Sequence, residues 1–146
     1  MINITIEAQR LLEKWQTCKS LRYPVLVVAP IHPTFISENN LLEIPDFIGA
    51  ELLDFEDRYR GQLNRFIPWY VIRDEILKEA VEKTVIVIHT EFFYDKWTGE
   101  ERTTFLRNLL RQDGHKGVIL GIYCQDNLHP IVDNISSKDR GMIWNP

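Results

Sequence analysis

Apolar and polar positions along the chain repeat with two different periods, and the change from one to the other marks out the elements. Over residues 4–19, Ile4, Ala8, Leu11, Leu12, Trp15 and Cys18 recur mostly at spacings of three and four, which predicts one amphipathic helix. Residues 23–30 then hold a nearly unbroken apolar run through Val25, Leu26, Val27 and Val28, closed by Pro30, and predict a strand buried on both faces. Residues 31–45, with two prolines and a polar cluster at 37–40, read as a loop with room for a short helix. Residues 50–55 predict a second strand, which Glu51 and Asp54 confine to a sheet edge. Residues 57–66 have helical composition, cut at Ile67 and Pro68 because proline disfavours helix in the residue before it. Pro68 suits the start of a further helix over 69–83, with Val71, Ile72, Ile76, Leu77, Ala80 and Val81 inward. Residues 84–89 predict another buried strand, and after a loop through Asp95 the Thr98–Glu101 pair has the form of a capping box. The helix it opens buries Phe105, Leu106, Leu109 and Leu110 and stops at Gly114. A buried strand over 117–124, a short one over 141–144 and an irregular tail complete the pattern.

Strands that are apolar throughout, separated by amphipathic helices, imply a three-layer α/β domain: a mainly parallel sheet with helices on both faces. At 146 residues the chain is expected to form a single domain with one core. Hydrophobic residues make up 45%, and seven Gly and seven Pro fall without period, which excludes disordered and collagen-like classes. Cys18 and Cys124 lie far apart in apolar surroundings, so neither a disulfide framework nor a zinc site is expected. The N-terminus lacks the continuous apolar stretch of a secretory signal, and no run approaches the length of a membrane span, so the expected location is cytoplasmic.

Charge is uneven. The net charge of −4 averages a first part, residues 1–57, with four basic against nine acidic residues, and a near-neutral remainder. Glu51, Asp54, Glu56 and Asp57 close a stretch with no basic residue in it, and form a candidate acidic docking surface for a protein partner or a second copy of the chain. A pI near 5.6 gives no indication of nucleic-acid binding. Arg107, Arg111 and Lys116, with Lys96 and Arg102 nearby, are interleaved with Glu100, Glu101 and Asp113 and read as a salt-bridged surface helix. The aromatic group Phe92, Phe93, Tyr94 and Trp97 reads either as core packing or as an exposed docking cluster.

In open α/β sheets ligands bind beyond the carboxyl ends of the strands. Those ends bring His32, Thr34, His89, Glu91 and Asp126 to one candidate rim. Imidazole and carboxylate there suit zinc or manganese, although no close metal-motif spacing is present and no metal or cofactor is assigned. Residues 29–38 contain neither Gly nor Lys, so a phosphate-cradling loop after the first strand is absent. No Gly-x-Ser-x-Gly elbow exists, and no residue is assigned as a catalytic nucleophile.

The order of elements, with Leu26 to Pro30 as first strand and Val85 to Ile88 followed by His89 and Glu91 as a Walker B-like strand, resembles a degenerate P-loop NTPase domain. Small proteins of this outline accompany bacterial phage-defence clusters of the BREX type. The chain departs from that pattern at the missing Walker A loop and at His89, which stands where the acid is expected. A complete core signal beside missing catalytic motifs points to a non-catalytic accessory or interaction protein, to which the resemblance adds a nucleotide-binding-like core. The alternatives are a small metal-dependent hydrolase acting on phosphoesters and a nucleotide sensor without turnover.

Overall fold

In the computed structural model, residues 6–29, 49–122 and 142–144 are described. Helix α1 (Ile6–Cys18) leads into β1 (Val25–Val28), and β2 (Glu51–Asp54) into the one-turn helix α2 (Phe55–Arg58). Then come α3 (Trp69–Ala80), β3 (Val85–Ile88), the one-turn α4 (Glu91–Tyr94), α5 (Gly99–Leu109), β4 (Val118–Gly121) and β5 (Met142–Trp144). The strands pair throughout in parallel, in the order β2-β3-β4-β1-β5.

Side chains alternate across a strand, so a parallel register sorts them into rows, each row belonging to one face. Leu52, Ile86, Ile119 and Leu26 form one row. With Val28 and Ile88 they meet Ala8, Leu11, Trp15 and Cys18 of α1. The next row, Leu53, Val87, Leu120 and Val27, faces the other way. It meets Ile72, Ile76 and Ala80 of α3 and Phe105, Leu106 and Leu109 of α5. Burying each such aliphatic side chain contributes roughly 1.5–3 kcal/mol. The three-layer, mainly parallel architecture expected from the sequence is what forms, with β2 at an edge. Both the β2–β3 and β3–β4 crossovers lay their helix on the same face, as successive crossovers of one handedness must.

The capping box forms in full: Glu101 N–H donates to Thr98 Oγ1 at 3.1 Å, and Thr98 N–H to Glu101 Oε1 at 3.0 Å. The helix expected over 57–66 does not form. Asp54 caps a helix that starts earlier, at Phe55, and the chain leaves it after Arg58; Gly61, at φ +83°, then turns into a loop. Trp97 Nε1–H holds that loop by donating to the Ile67 carbonyl at 2.7 Å. Among the described residues no helix is long and apolar enough to cross a membrane.

Two residues ahead of β4 are tightly specified. Gly117 has φ +127°, and a Cβ there would stand 2.7 Å from Trp15 Cζ2, a ring already buried under the sheet. His115 is held as the neutral Nε2–H tautomer: Nε2–H donates to the Gln112 carbonyl at 2.9 Å, and Nδ1 accepts the Gly117 N–H at 3.0 Å. Burial lowers its pKa from the ordinary 6.5, against the opposing hydrogen bond to Gln112.

Gly117→Ala is expected to cost about 2–4 kcal/mol, combining backbone strain with overpacking against Trp15. Gly114→Ala, also at positive φ but with open space around it, should cost about 1–2 kcal/mol from the backbone alone. Urea midpoints at unchanged slope measure both, and equal losses would contradict the role given to Trp15. Because His115 titrates lower in the folded chain, its stabilising contribution is complete above pH 6.5 and is lost as pH falls through the folded value. Melting temperature recorded from pH 8 to pH 5 should therefore fall more steeply for the wild type than for His115→Gln.

Candidate metal centre

Parallel pairing puts the carboxyl ends of all strands on one edge, and the site lies there between β2 and β3. Asp54 closes β2 opposite Ile88, the last residue of β3. Its Oδ1 accepts the N–H groups of Glu56 at 3.0 Å and Asp57 at 3.4 Å, so the capping carboxylate and the helix first turn come to the rim as one unit. On β3 the chain turns sharply at His89, which has φ +63°, the one non-glycine residue with positive φ among those described. That conformation costs of order 1–3 kcal/mol in a residue with a Cβ, and such strain concentrates at functional sites. Thr90 follows, fully buried, with its Oγ1 lacking any hydrogen-bond partner among the described residues.

The turn drives the imidazole between two carboxylates. Nδ1–H donates to Glu91 Oε1 at 3.0 Å, and Nε2 faces Glu56 Oε2 at 3.6 Å. The hydrogen bond to Glu91 raises the His89 pKa above its ordinary value against the effect of burial, with the charges of Glu91, Asp54 and Glu56 adding to it. Asp54, Glu56 and His89 each offer a ligand atom, and all of these lie within 4.8 Å of one another. Zinc–ligand bonds of about 2.0–2.2 Å place tetrahedral ligand atoms roughly 3.5 Å apart, so the side chains need draw in by about an ångström. Glu91 stands where a metal-binding histidine has its orienting carboxylate, fixing the tautomer that leaves Nε2 free to ligate.

Beside the cluster runs an open groove of about 610 Å³, within the range of small-molecule sites. Residues 51–54 form one wall, and Glu56, Asp57, Arg58, Arg60 and Leu63 the rest. Arg58 is braced by Glu75 and Glu79 at 3.3 and 3.2 Å, and Arg60 pairs with Asp57.

The structure rearranges the residues singled out in the sequence. His89 and Glu91 meet at the rim as expected. His32, Thr34 and Asp126 lie outside the described residues. Asp54 and Glu56, read above as part of an acidic docking surface, instead face His89; Glu51 lies at the far end of β2, exposed, and Asp57 lines the groove. Of the aromatic group, Phe93, Tyr94 and Trp97 are core, with Phe93 packed edge-on to Phe55 and Tyr59, and Phe92 is half-buried. They do not form an exposed docking cluster, because the one-turn helix α4 rolls them under the 59–68 loop, where Lys96 Nζ donates to the Leu63 and Phe92 carbonyls. Arg107 and Arg111 have no carboxylate partner among the described residues, contrary to the salt-bridged helix expected.

The chain matches no protein-family model, no curated protein and no solved structure. The resemblance to degenerate P-loop proteins draws no support from these comparisons. The reading as a strictly non-catalytic accessory protein is overturned by the Asp54, Glu56 and His89 cluster, whose donor set and spacing suit a metal ion and with it a capacity for catalysis.

Phe93→Ala is expected to destabilise the fold by about 3–5 kcal/mol, as a core truncation does. A docking residue would leave the denaturation midpoint unchanged, so urea unfolding of this variant separates the two roles.

Proposed function

We propose that the protein is a divalent-cation-dependent hydrolase of phosphoesters, with Asp54, Glu56 and His89 as metal ligands and Glu91 as the carboxylate that orients His89. The observation that carries this reading is the hydrogen-bonded Glu91–His89 pair aimed at two further carboxylates on the rim. Three protein ligands leave coordination positions open to water and substrate, which distinguishes catalytic from closed structural sites. One imidazole and two carboxylates suit zinc or manganese.

Charge orders the events. The groove lining carries four carboxylates, Glu51, Asp54, Glu56 and Asp57, against the guanidinium groups of Arg58 and Arg60. Without a cation it repels an anionic substrate; a divalent ion brings the lining to neutrality and removes that repulsion. A bound divalent ion lowers the pKa of its water and polarises a phosphoryl oxygen. Hydrolysis then adds water across the ester P–O bond, hydroxide to phosphorus and a proton to the departing alkoxide.

Calorimetry with manganese and zinc is expected to give one site per chain, and ion at 100 times its dissociation constant should stabilise the fold by about 2.7 kcal/mol. Asp54→Asn keeps an amide able to cap α2 while removing a ligand charge, and should abolish both tight binding and metal-dependent hydrolysis of a nitrophenyl phosphodiester. Glu91→Gln should weaken metal affinity by about 10–100-fold. Wild-type protein that gains no stability from either ion, or metal affinity unchanged in Asp54→Asn, overturns the assignment.

A further inference from the structure

We infer a second site, for a phosphate-bearing small molecule, on the opposite edge of the sheet from the metal centre. A concavity of about 430 Å³ is lined by Tyr23, Thr104, Arg107, Asn108, Arg111 and Gln112. Tyr23 precedes β1, and the other five line one face of α5 and its C-terminal extension, so the pocket opens at the amino ends of the strands. About 13 Å of strand separates that edge from the rim of Asp54 and His89.

The lining presents donors. Arg107, in the last turn of α5, and Arg111, in the turn that follows the helix, line the same concavity and have no carboxylate partner among the described residues. Arg107 Nε is buried and makes no hydrogen bond among the described residues. A guanidinium N–H cannot lose its proton, so a buried one without an acceptor is costly unless a ligand supplies it. Asn108 is oriented by its neighbours. Its Oδ1 accepts from Arg73 Nη1 at 3.2 Å and from Gln112 Nε2 at 2.7 Å. Arg73 can only donate, so the Asn108 amide oxygen must face it, and among the described residues no acceptor meets the Nδ2 hydrogens. None of the described lining residues is acidic. The C-terminal end of α5 carries the equivalent of roughly half a negative charge, which two guanidinium groups outweigh.

Two guanidinium groups with an amide donor fit the oxygens of a phosphate group, and the half-buried Tyr23, whose ring carries the Arg22 guanidinium over it, forms the wall beside whatever that group is attached to. Free inorganic phosphate and the phosphate of a mononucleotide share this chemistry. The inference is independent of the proposed hydrolase activity.

Thermal-shift and calorimetric titrations of the full chain at constant ionic strength test it, with inorganic phosphate, AMP and adenosine as probes and chloride as the control. Phosphate is expected to bind and stabilise the protein where chloride does not. Arg107→Gln and Arg111→Gln should each weaken it by about tenfold or more. Arg111 is exposed, so Arg111→Gln should fold like the wild type in the absence of phosphate, and metal binding at Asp54 and His89 should persist. AMP binding tighter than phosphate, with Tyr23→Ala removing the difference, identifies a mononucleotide as the ligand; equal affinities identify phosphate itself. Phosphate affinity no greater than that for chloride, unchanged affinity in both arginine variants, or loss of phosphate binding in Asp54→Asn overturns the site. Tighter binding of a single-stranded oligonucleotide than of AMP does so as well.

Discussion

Everything in this molecule follows from the need to bury three central strands on both faces at once. β3, β4 and β1 are apolar at every position except the terminal Gly121, and a parallel ladder holds them in register, so each face is a continuous apolar surface needing its own cover. Helix α1 supplies one cover, and α3 with α5 the other. A polar side chain within any of these strands would meet a helix on either side, and burying it unpaired costs more than a typical hydrogen bond returns. Polar chemistry is therefore displaced to the strand ends. Because the strands are parallel, those ends collect at two edges, and both sites lie there.

The sheet was legible in the sequence because a strand buried on both faces leaves an unmistakable mark: Val85 to Ile88 can hardly be anything else. The capping box was legible for a similar reason, since Thr98 and Glu101 satisfy one another within four residues. What escaped was the partner strand of the site. β2 reads as an edge strand from its own polarity, and its carboxyl end was not counted with the others. Asp54 and Glu56 thus read as two members of an acidic docking surface. Their meeting with His89 depends on the β2–β3 register, a non-local pairing that neither segment encodes alone. The aromatic run left core packing and docking both open, because one helical turn at residues 91–94 suffices to rotate Phe93 and Tyr94 inward, and so short a turn leaves no periodicity to read.

His89 shows how the fold sustains strain at a functional position. A positive φ with a Cβ costs of order 1–3 kcal/mol, and a charge-assisted hydrogen bond such as that to Glu91 returns about 1.5–3 kcal/mol. The two are of similar size, so the turn is held rather than driven. An extended residue at this position would continue β3 and carry the imidazole along the sheet direction, away from Glu56. The strained turn bends the chain at the last ladder pair and leaves His89 between α2 and α4, each of which contributes a carboxylate. Asp54 performs two tasks in the same few ångströms, since the lone pairs that cap α2 fix the direction of the carboxylate that faces the imidazole.

The uneven charge of the chain acquires a spatial meaning in the same way. Strands run from the amino edge to the carboxyl edge and the crossover helices run back, so Asp54, Glu56 and Glu91 gather at one edge while Arg107, late in α5, and Arg111, just beyond it, gather at the other. A cation drawn to the first and an anion drawn to the second would interact favourably across the sheet. Yet the edges are separated by about 13 Å of strand, more than the Debye length of about 8 Å at physiological ionic strength, so solvent ions screen most of that attraction. Occupancy of one site therefore reaches the other mainly through packing, and the contiguous route is short. Arg73 of α3 holds Asn108 of α5, while Glu75 and Glu79 of the same α3 brace Arg58 in the groove beside the metal centre. Helix α3 thus touches both sites through polar contacts on a single rigid element. A shift of that helix on binding at either edge would be transmitted to the other, whereas their charges alone would leave the two sites nearly independent.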